Sequence, residues 1–268
     1  MSDAVVSVRG ATKVFGSGND RTPALDPIDL DIDKGAFVSL IGPSGCGKST
    51  MLRLIGDLTQ PSAGTITVNG KSAHQARLDG DYGIVFQSPV LFDWRTVGEN
   101  VELPLEMSST SKRARAERAR AMLALVELSG LERRYPWQLS GGMQQRVAIA
   151  RALTFEPAIL LMDEPFGALD EMTRERLNLE LLGIWRQTGT TIVFVTHSIP
   201  EAVFLSTKVV VMSAHPGRIA DIIDVDLPQP RSDLTREDQR YYSFVTRVRE
   251  SLRGNATQTP ISARAAST

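Results

Sequence analysis

Residues Gly42-Pro43-Ser44-Gly45-Cys46-Gly47-Lys48-Ser49, followed by Thr50, concentrate the most chemistry in the chain. The glycines permit positive φ, so successive N–H groups can curl round a β-phosphate; Lys48 adds a mobile cation for β- and γ-oxygens, and the Ser49 hydroxyl can ligate Mg2+. Fixed glycines followed by Lys and Ser form the P-loop pattern. Lys48 and the helix N-terminus beyond it are expected to lower the pKa of Cys46 and leave it reactive. A second anion receptor lies far downstream in Leu139-Ser140-Gly141-Gly142-Met143-Gln144-Gln145-Arg146. There the Ser140 hydroxyl, the bare N–H groups of Gly141 and Gly142 and the dipole of a following helix meet at one anion-sized spot. The run Ile159-Leu160-Leu161-Met162 ends in Asp163, placed to hold Mg2+ through water, and Glu164, placed to polarise the water that attacks a γ-phosphate. Gln87 follows Tyr82-Gly83-Ile84-Val85-Phe86 and can reach metal and water, while His197 follows Thr190-Thr191-Ile192-Val193-Phe194-Val195-Thr196 and can donate to the γ-phosphate. Ala168-Leu169-Asp170 comes soon after the carboxylates. Singly, each feature has an ordinary explanation: a glycine N-cap, a strand ending in surface acids, a satisfied structural polar group. Their order at strand ends joins them into one site.

The elements that must position these groups follow from periodicity. Residues 36–41, 159–163 and 190–196 are apolar without alternation, which suits strands buried on both faces of a parallel sheet whose carboxyl ends collect ligands. Residues 50–58 read as the helix after the P-loop. Residues 5–14, 28–32 and 65–68 alternate as strands of an antiparallel sheet, the last closing at Asn69-Gly70, a hairpin signal. Between Gln87 and the second receptor, Ala119, Met122, Leu123 and Val126 mark an apolar helix stripe, and Lys112, Arg113, Arg115, Arg118 and Arg120 read as its solvated face. Beyond Pro228-Gln229-Pro230 a short amphipathic stretch carries Tyr241, Phe244, Val245 and Val248.

The order of P-loop, glutamine, Leu-Ser-Gly-Gly signature, Asp-Glu strand, Leu-Asp and strand-terminal histidine resembles the ATP-binding subunits of ABC transporters, over about residues 5–225. The resemblance implies an α/β, P-loop NTPase fold: a mainly parallel sheet flanked by helices, with an antiparallel β subdomain and an inserted helical subdomain. It sets an ATPase domain at 1–227 with the insert at about 88–155; beyond it the amphipathic stretch gives a helical extension at 228–253, and the small, polar residues of 254–268 give a disordered tail. It further implies a head-to-tail homodimer with two ATP molecules sandwiched between subunits. Each ATP and its Mg2+ would meet Lys48, Ser49, Gln87, Asp163, Glu164 and His197 of one subunit and Ser140, Gly141 and Gly142 of the other. Phe15 matches the family's adenine-stacking aromatic, with core packing as the alternative. The partners implied are integral membrane permease subunits at the cytoplasmic face of the cell membrane and, through them, an extracytoplasmic substrate-binding protein. Residues 88–95 match the permease groove, with Trp94 and Arg95 as anchors; a packed loop is the other reading. Residues 201–219 resemble the nitrate/sulfonate/taurine importer group, so the expected cargo is a small anion, with a pyrimidine-type precursor as the alternative. Ser198 and Gly56-Asp57 depart from that group's usual Asp and Ala-Gly. Asp57 is a poorer left-handed C-cap than Gly.

Composition narrows the classes. With 268 residues, 42% hydrophobic and 23% charged, the chain can build one large core plus a lobe. Its apolar runs fall short of the roughly 20 residues that span a bilayer, and residues 1–10 lack a signal-peptide core. A formal net charge of −1 gives no reason to expect nucleic-acid binding, and one cysteine excludes an intrachain disulfide. A soluble ABC ATPase acting on DNA or ribosomes would need a coiled-coil insert or a second cassette, and neither is present.

Overall fold

The computed structural model describes residues 4–18, 20–214 and 216–256. In chain order the strands are β1 (Ala4–Phe15), β2 (Thr22–Asp33), β3 (Phe37–Ile41), β4 (Ala63–Val68), β5 (Lys71–Ser72), β6 (Tyr82–Val85), β7 (Ile159–Asp163), β8 (Thr191–Thr196), β9 (Lys208–Ser213) and β10 (Arg218–Asp224). The helices are α1 (Lys48–Ile55), α2 (Ala73–Leu78), α3 (Val97–Glu102), α4 (Lys112–Leu125), α5 (Gly141–Ala152), α6 (Glu171–Thr188), α7 (Ile199–Leu205) and α8 (Gln239–Ala256).

The strands whose apolar runs lack alternation share one six-stranded sheet, ordered β10-β9-β3-β8-β7-β6, in which β9, β3, β8, β7 and β6 run parallel. Every residue of β3 and β8 is buried, as strands covered by helices on both faces require. Register sets the site: β3 and β8 pair Ile41 with Thr196, and β7 and β8 pair Asp163 with Val195. The P-loop, the carboxylates and His197 therefore leave the sheet side by side. A four-stranded antiparallel sheet, β2-β1-β4-β5, lies beside it. Its turn at Asn69-Gly70 takes φ of 53° and 73°, the two left-handed residues of a type I′ hairpin.

Between β6 and β7 lie α3, α4 and α5. The stripe Ala119, Met122, Leu123 and Val126 is buried in the same apolar cluster as Val147, Leu160 and Phe194. Burying a side chain of the Val or Leu kind stabilises by about 1.5–3 kcal/mol, so this stripe holds the lobe to the sheet. The basic residues of α4 do not all face solvent. Arg118 donates to the Thr154 and Leu153 carbonyls at 3.0 and 3.3 Å and pairs with Glu156, so it caps the end of α5 rather than facing water.

Helix α1 stops at Ile55, three residues short of the expected 58. Asp57 adopts φ 52°, the left-handed conformation that disfavours a Cβ. Its carboxylate is buried and accepts from Arg77 Nε at 2.9 Å, lies 3.0 Å from His74 Nδ1 and meets Gln60, which fixes the turn by bonds that glycine could not make. Helix α8 continues past 253 to Ala256, and residues 257–268 of the expected tail lie outside the described residues. None of the described helices is long and apolar enough to cross a membrane.

Candidate functional site

Strand β3 delivers residues 42–47 as a loop that closes into α1. Gly45 and Gly47 take φ of 77° and 91°. The φ of Gly47 strains any residue with a Cβ, which would also crowd Leu25 Cδ2 at 2.4 Å and the Ala24 carbonyl oxygen at 3.2 Å. Lys48 folds back over the loop and donates to the Gly42 and Pro43 carbonyls at 2.9 and 3.1 Å.

Cys46 sits differently from the sequence expectation. It is fully buried, and burial pushes its thiol pKa up despite the opposing charge of Lys48. Its Sγ fills the space a Cβ on Gly42 would need, at 2.6 Å. The side chain is core packing.

Lys48, Ser49, Thr50, Glu164 and His197 line a cleft of about 380 Å3 together with Ser44, Gly45 and Gly47. Ser49 Oγ donates to Asp163 Oδ1 at 2.7 Å. His197 Nδ1 lies 3.3 Å from Glu164 Oε2. Glu164 follows the end of β7 with φ 46°, a left-handed conformation for a residue with a Cβ; its N–H donates to the Val195 carbonyl at 3.0 Å, tying it to β8. A Cβ on Gly167 would lie 3.5 Å from Gln87 Nε2 and 3.6 Å from Glu164 Oε2, so these two side chains converge over Gly167.

Phe15 and the signature stand outside this cleft. Phe15 is 46% exposed with the Lys13 ammonium 5.1 Å above its ring, an exposed platform rather than core packing. Ser140 caps α5 by accepting from Met143 N at 3.4 Å, and Gly141 is exposed beside it. Gly142 is buried, where a Cβ would lie 3.1 Å from Thr173 Cγ2 of α6. In one chain, the P-loop and the Ser140–Gly142 signature thus do not share a cleft.

Sequence reading missed the side chains that hold the loops. Gln145 Nε2 donates to the Phe86 carbonyl at 3.0 Å, and Arg151 donates to the Val90 and Pro89 carbonyls at 2.8 and 2.9 Å. Both belong to α5, so the signature helix brackets the segment carrying Gln87. Asn100 is buried, accepts from Phe92 N at 2.8 Å and donates to three carbonyls of the same loop, leaving Trp94 74% exposed. The available signal was polarity inside apolar helical runs. Ser198, the departure after His197, N-caps α7 by accepting from Glu201 N at 3.4 Å.

Comparison with known proteins places this geometry. The ABC transporter family model matches residues 25–167. An uncharacterized ABC transporter ATP-binding protein of Methanocaldococcus jannaschii is 47% identical over 91% of this chain and 90% of its own. The aliphatic sulfonates import ATP-binding protein SsuB of Bacillus cereus is 42% identical over 96% of this chain and 99% of its own. Among solved structures, the dimeric ATP-binding cassette MJ0796 bound to ADP and phosphate aligns with a TM-score of 0.73 at 36% identity, over 83% of this chain and all of that one. The cbiO1 cassette from Clostridium perfringens, part of an ABC transporter complex, aligns with a TM-score of 0.76 at 26% identity over 97% of both. With its P-loop, buried parallel strands and converging carboxylates in that company, the chain belongs to the ABC transporter family, as an ATP-binding subunit that hydrolyses ATP and resembles the sulfonate importer group.

Proposed function

We propose that this chain energises an importer of a small organic or inorganic anion, such as a sulfonate, taurine or nitrate. It acts as a head-to-tail homodimer bound to permease subunits at the cytoplasmic face of the membrane, with an extracytoplasmic binding protein supplying cargo. The observation that carries the reading is the gathering of Lys48, Ser49, Glu164 and His197 on one cleft, with Asp163 bonded to Ser49, while Ser140–Gly142 lies outside it; on this reading a second subunit completes the site. Likeness to the sulfonate import protein over nearly the whole chain supports the cargo class.

The residues divide the work by their chemistry. Loop N–H groups and Lys48 bind β- and γ-phosphates, and Phe15 offers its exposed ring to adenine. The Ser49 hydroxyl and Asp163 carboxylate, 2.7 Å apart, are the hard oxygen donors that Mg2+ takes beside phosphate, and the Gln87 amide is a third. When bound, Mg2+ neutralises charge on the phosphate oxygens. Glu164 accepts the proton of the attacking water. His197, whose Nδ1 stands 3.3 Å from Glu164 Oε2, is the imidazole placed to contact the γ-phosphate.

Glu164→Gln keeps shape and removes the base. Hydrolysis should fall at least about a hundredfold, ATP binding should persist, and an ATP-bound dimer should accumulate on size exclusion; near-normal turnover by a monomer would refute the assignment. Cargo is settled by ATP-dependent uptake in proteoliposomes holding the whole complex, tested with sulfonates, taurine, nitrate and pyrimidine precursors.

A further inference from the structure

Helix α7 begins two residues after His197, and its first turn holds the residues on either side of that histidine. The Thr196 hydroxyl donates to Glu201 Oε2 at 2.5 Å and accepts from Ser198 N at 3.0 Å, while Ser198 Oγ accepts from Glu201 N. Glu201 is buried. His197 is therefore carried by α7, and displacement of the helix displaces the ring.

What fixes α7 is the segment after residue 228. Tyr241 Oη donates to the Pro200 carbonyl at 3.1 Å, at the front of the helix. At its rear, Arg231 donates to the carbonyls of Val203, Phe204 and Ser206 at 3.2, 2.7 and 2.8 Å. These are acceptors that a helix end leaves without partners. The Arg236 guanidinium lies 4.0 Å over the Phe204 ring and pairs with Glu175 of α6 at 3.1 Å. Leu252 of α8 reaches further and, with Pro43, Ser44, His197 and Ile199, lines an apolar cleft of about 480 Å3 behind the P-loop. Arg231 is a buried cation whose pKa desolvation lowers to about 10, and no carboxylate pairs with it among the described residues. An ordinary helix end exposed to water needs no such group. Here the charge is spent on a short helix whose position matters.

We infer that Arg231 and Tyr241 are positioning residues: the extension after residue 228 clamps α7 at both ends and thereby sets where the His197 ring stands relative to Glu164. This rests on the reading of the cleft given above.

Tyr241→Phe removes one hydroxyl and leaves the ring in place. On the full chain, kcat should fall about threefold to tenfold while the KM for ATP stays within about twofold, because phosphate binding is untouched. Arg231→Lys keeps the charge but loses the three-carbonyl fork, and should act in the same direction. Tyr242→Phe, an exposed neighbour, should match wild type. A structural role alone would lower the melting temperature without moving the histidine, so the deciding readout is the imidazole 1H–13C spectrum. Only three histidines contribute to it, and His197 is assigned by the peak lost in His197→Ala. The His197 peak should shift in Tyr241→Phe while the His74 peak stays. A His197 peak identical to wild type in Tyr241→Phe overturns the inference, even if Arg231→Lys fails to fold. Absence of ATPase activity in the wild type would instead sink the reading of the cleft, and the histidine spectrum would still decide this one.

Discussion

Cys46 shows how a single side chain can contradict its neighbours. Proximity to Lys48 argues for a thiolate, yet the thiol points into the core against Gly42, and burial pushes its pKa above the ordinary cysteine range. Maleimide should therefore label the native, nucleotide-free chain slowly at neutral pH, and fast only after unfolding in urea; the rate should climb later on the alkaline side than for a free thiol. Labelling of the native chain at the rate of the unfolded one would show the loop to be open. The direction of this side chain was invisible in the sequence because alternation along a glycine-rich loop follows no period. Asp163, Glu164 and His197 were legible for the opposite reason. Each ends an apolar run, and in a parallel sheet only one end of such a run collects ligands. The left-handed backbone at Glu164 was not legible, since it answers to a bond with Val195 on another strand.

At the scale of elements, the turn after α1 carries a pH dependence of its own. Burial opposes ionisation of Asp57, but the bonds from Arg77, His74 and Gln60 outweigh it and hold its pKa below the usual carboxylate value. A depressed pKa contributes stability that is present above the unfolded value, near 4, and is lost as pH falls through the folded one. Wild type should thus lose urea resistance below about pH 4 more steeply than Asp57→Asn. At neutral pH, Asp57→Ala should cost about 1–2 kcal/mol, losing the bonds while keeping a Cβ in the left-handed turn. Equal acid profiles for wild type and Asp57→Asn would refute this account. The hairpin at Asn69-Gly70 could be foreseen because its turn chemistry is local. The end of α1 could not be, since Asp57 is satisfied by residues of α2, beyond any window of helical periodicity. The α4 stripe was legible for its apolar face, and Arg118 was misjudged because its acceptors lie at the end of α5.

For the whole molecule, the separation of the two anion receptors has a testable consequence. In a head-to-tail pair, a Lys48→Ala chain mixed with a Ser140→Arg chain yields one site bearing both lesions and one bearing neither. The mixture should regain ATP turnover that neither variant shows alone; a mixture no more active than its parts would exclude the arrangement. The order of strands and the lodging of α5 against β6 are long-range facts that composition and periodicity do not encode, and the sequence reading gave neither.

The two sheets meet at Gly217. Its N–H donates to the Ala24 carbonyl at 3.0 Å, its own carbonyl accepts from Asp26 N at 2.9 Å, and a Cβ there would stand 2.2 Å from the Cys46 carbonyl of the P-loop. The strand pair that carries Phe15 is thus bolted to the loop that carries Lys48, with no side chain to act as a cushion between them. On the reading proposed above, the Phe15 ring and the P-loop would act as the two ends of a ruler of set length. Nucleotides would then be told apart by the distance from ring to terminal phosphate as well as by the chemistry of each end.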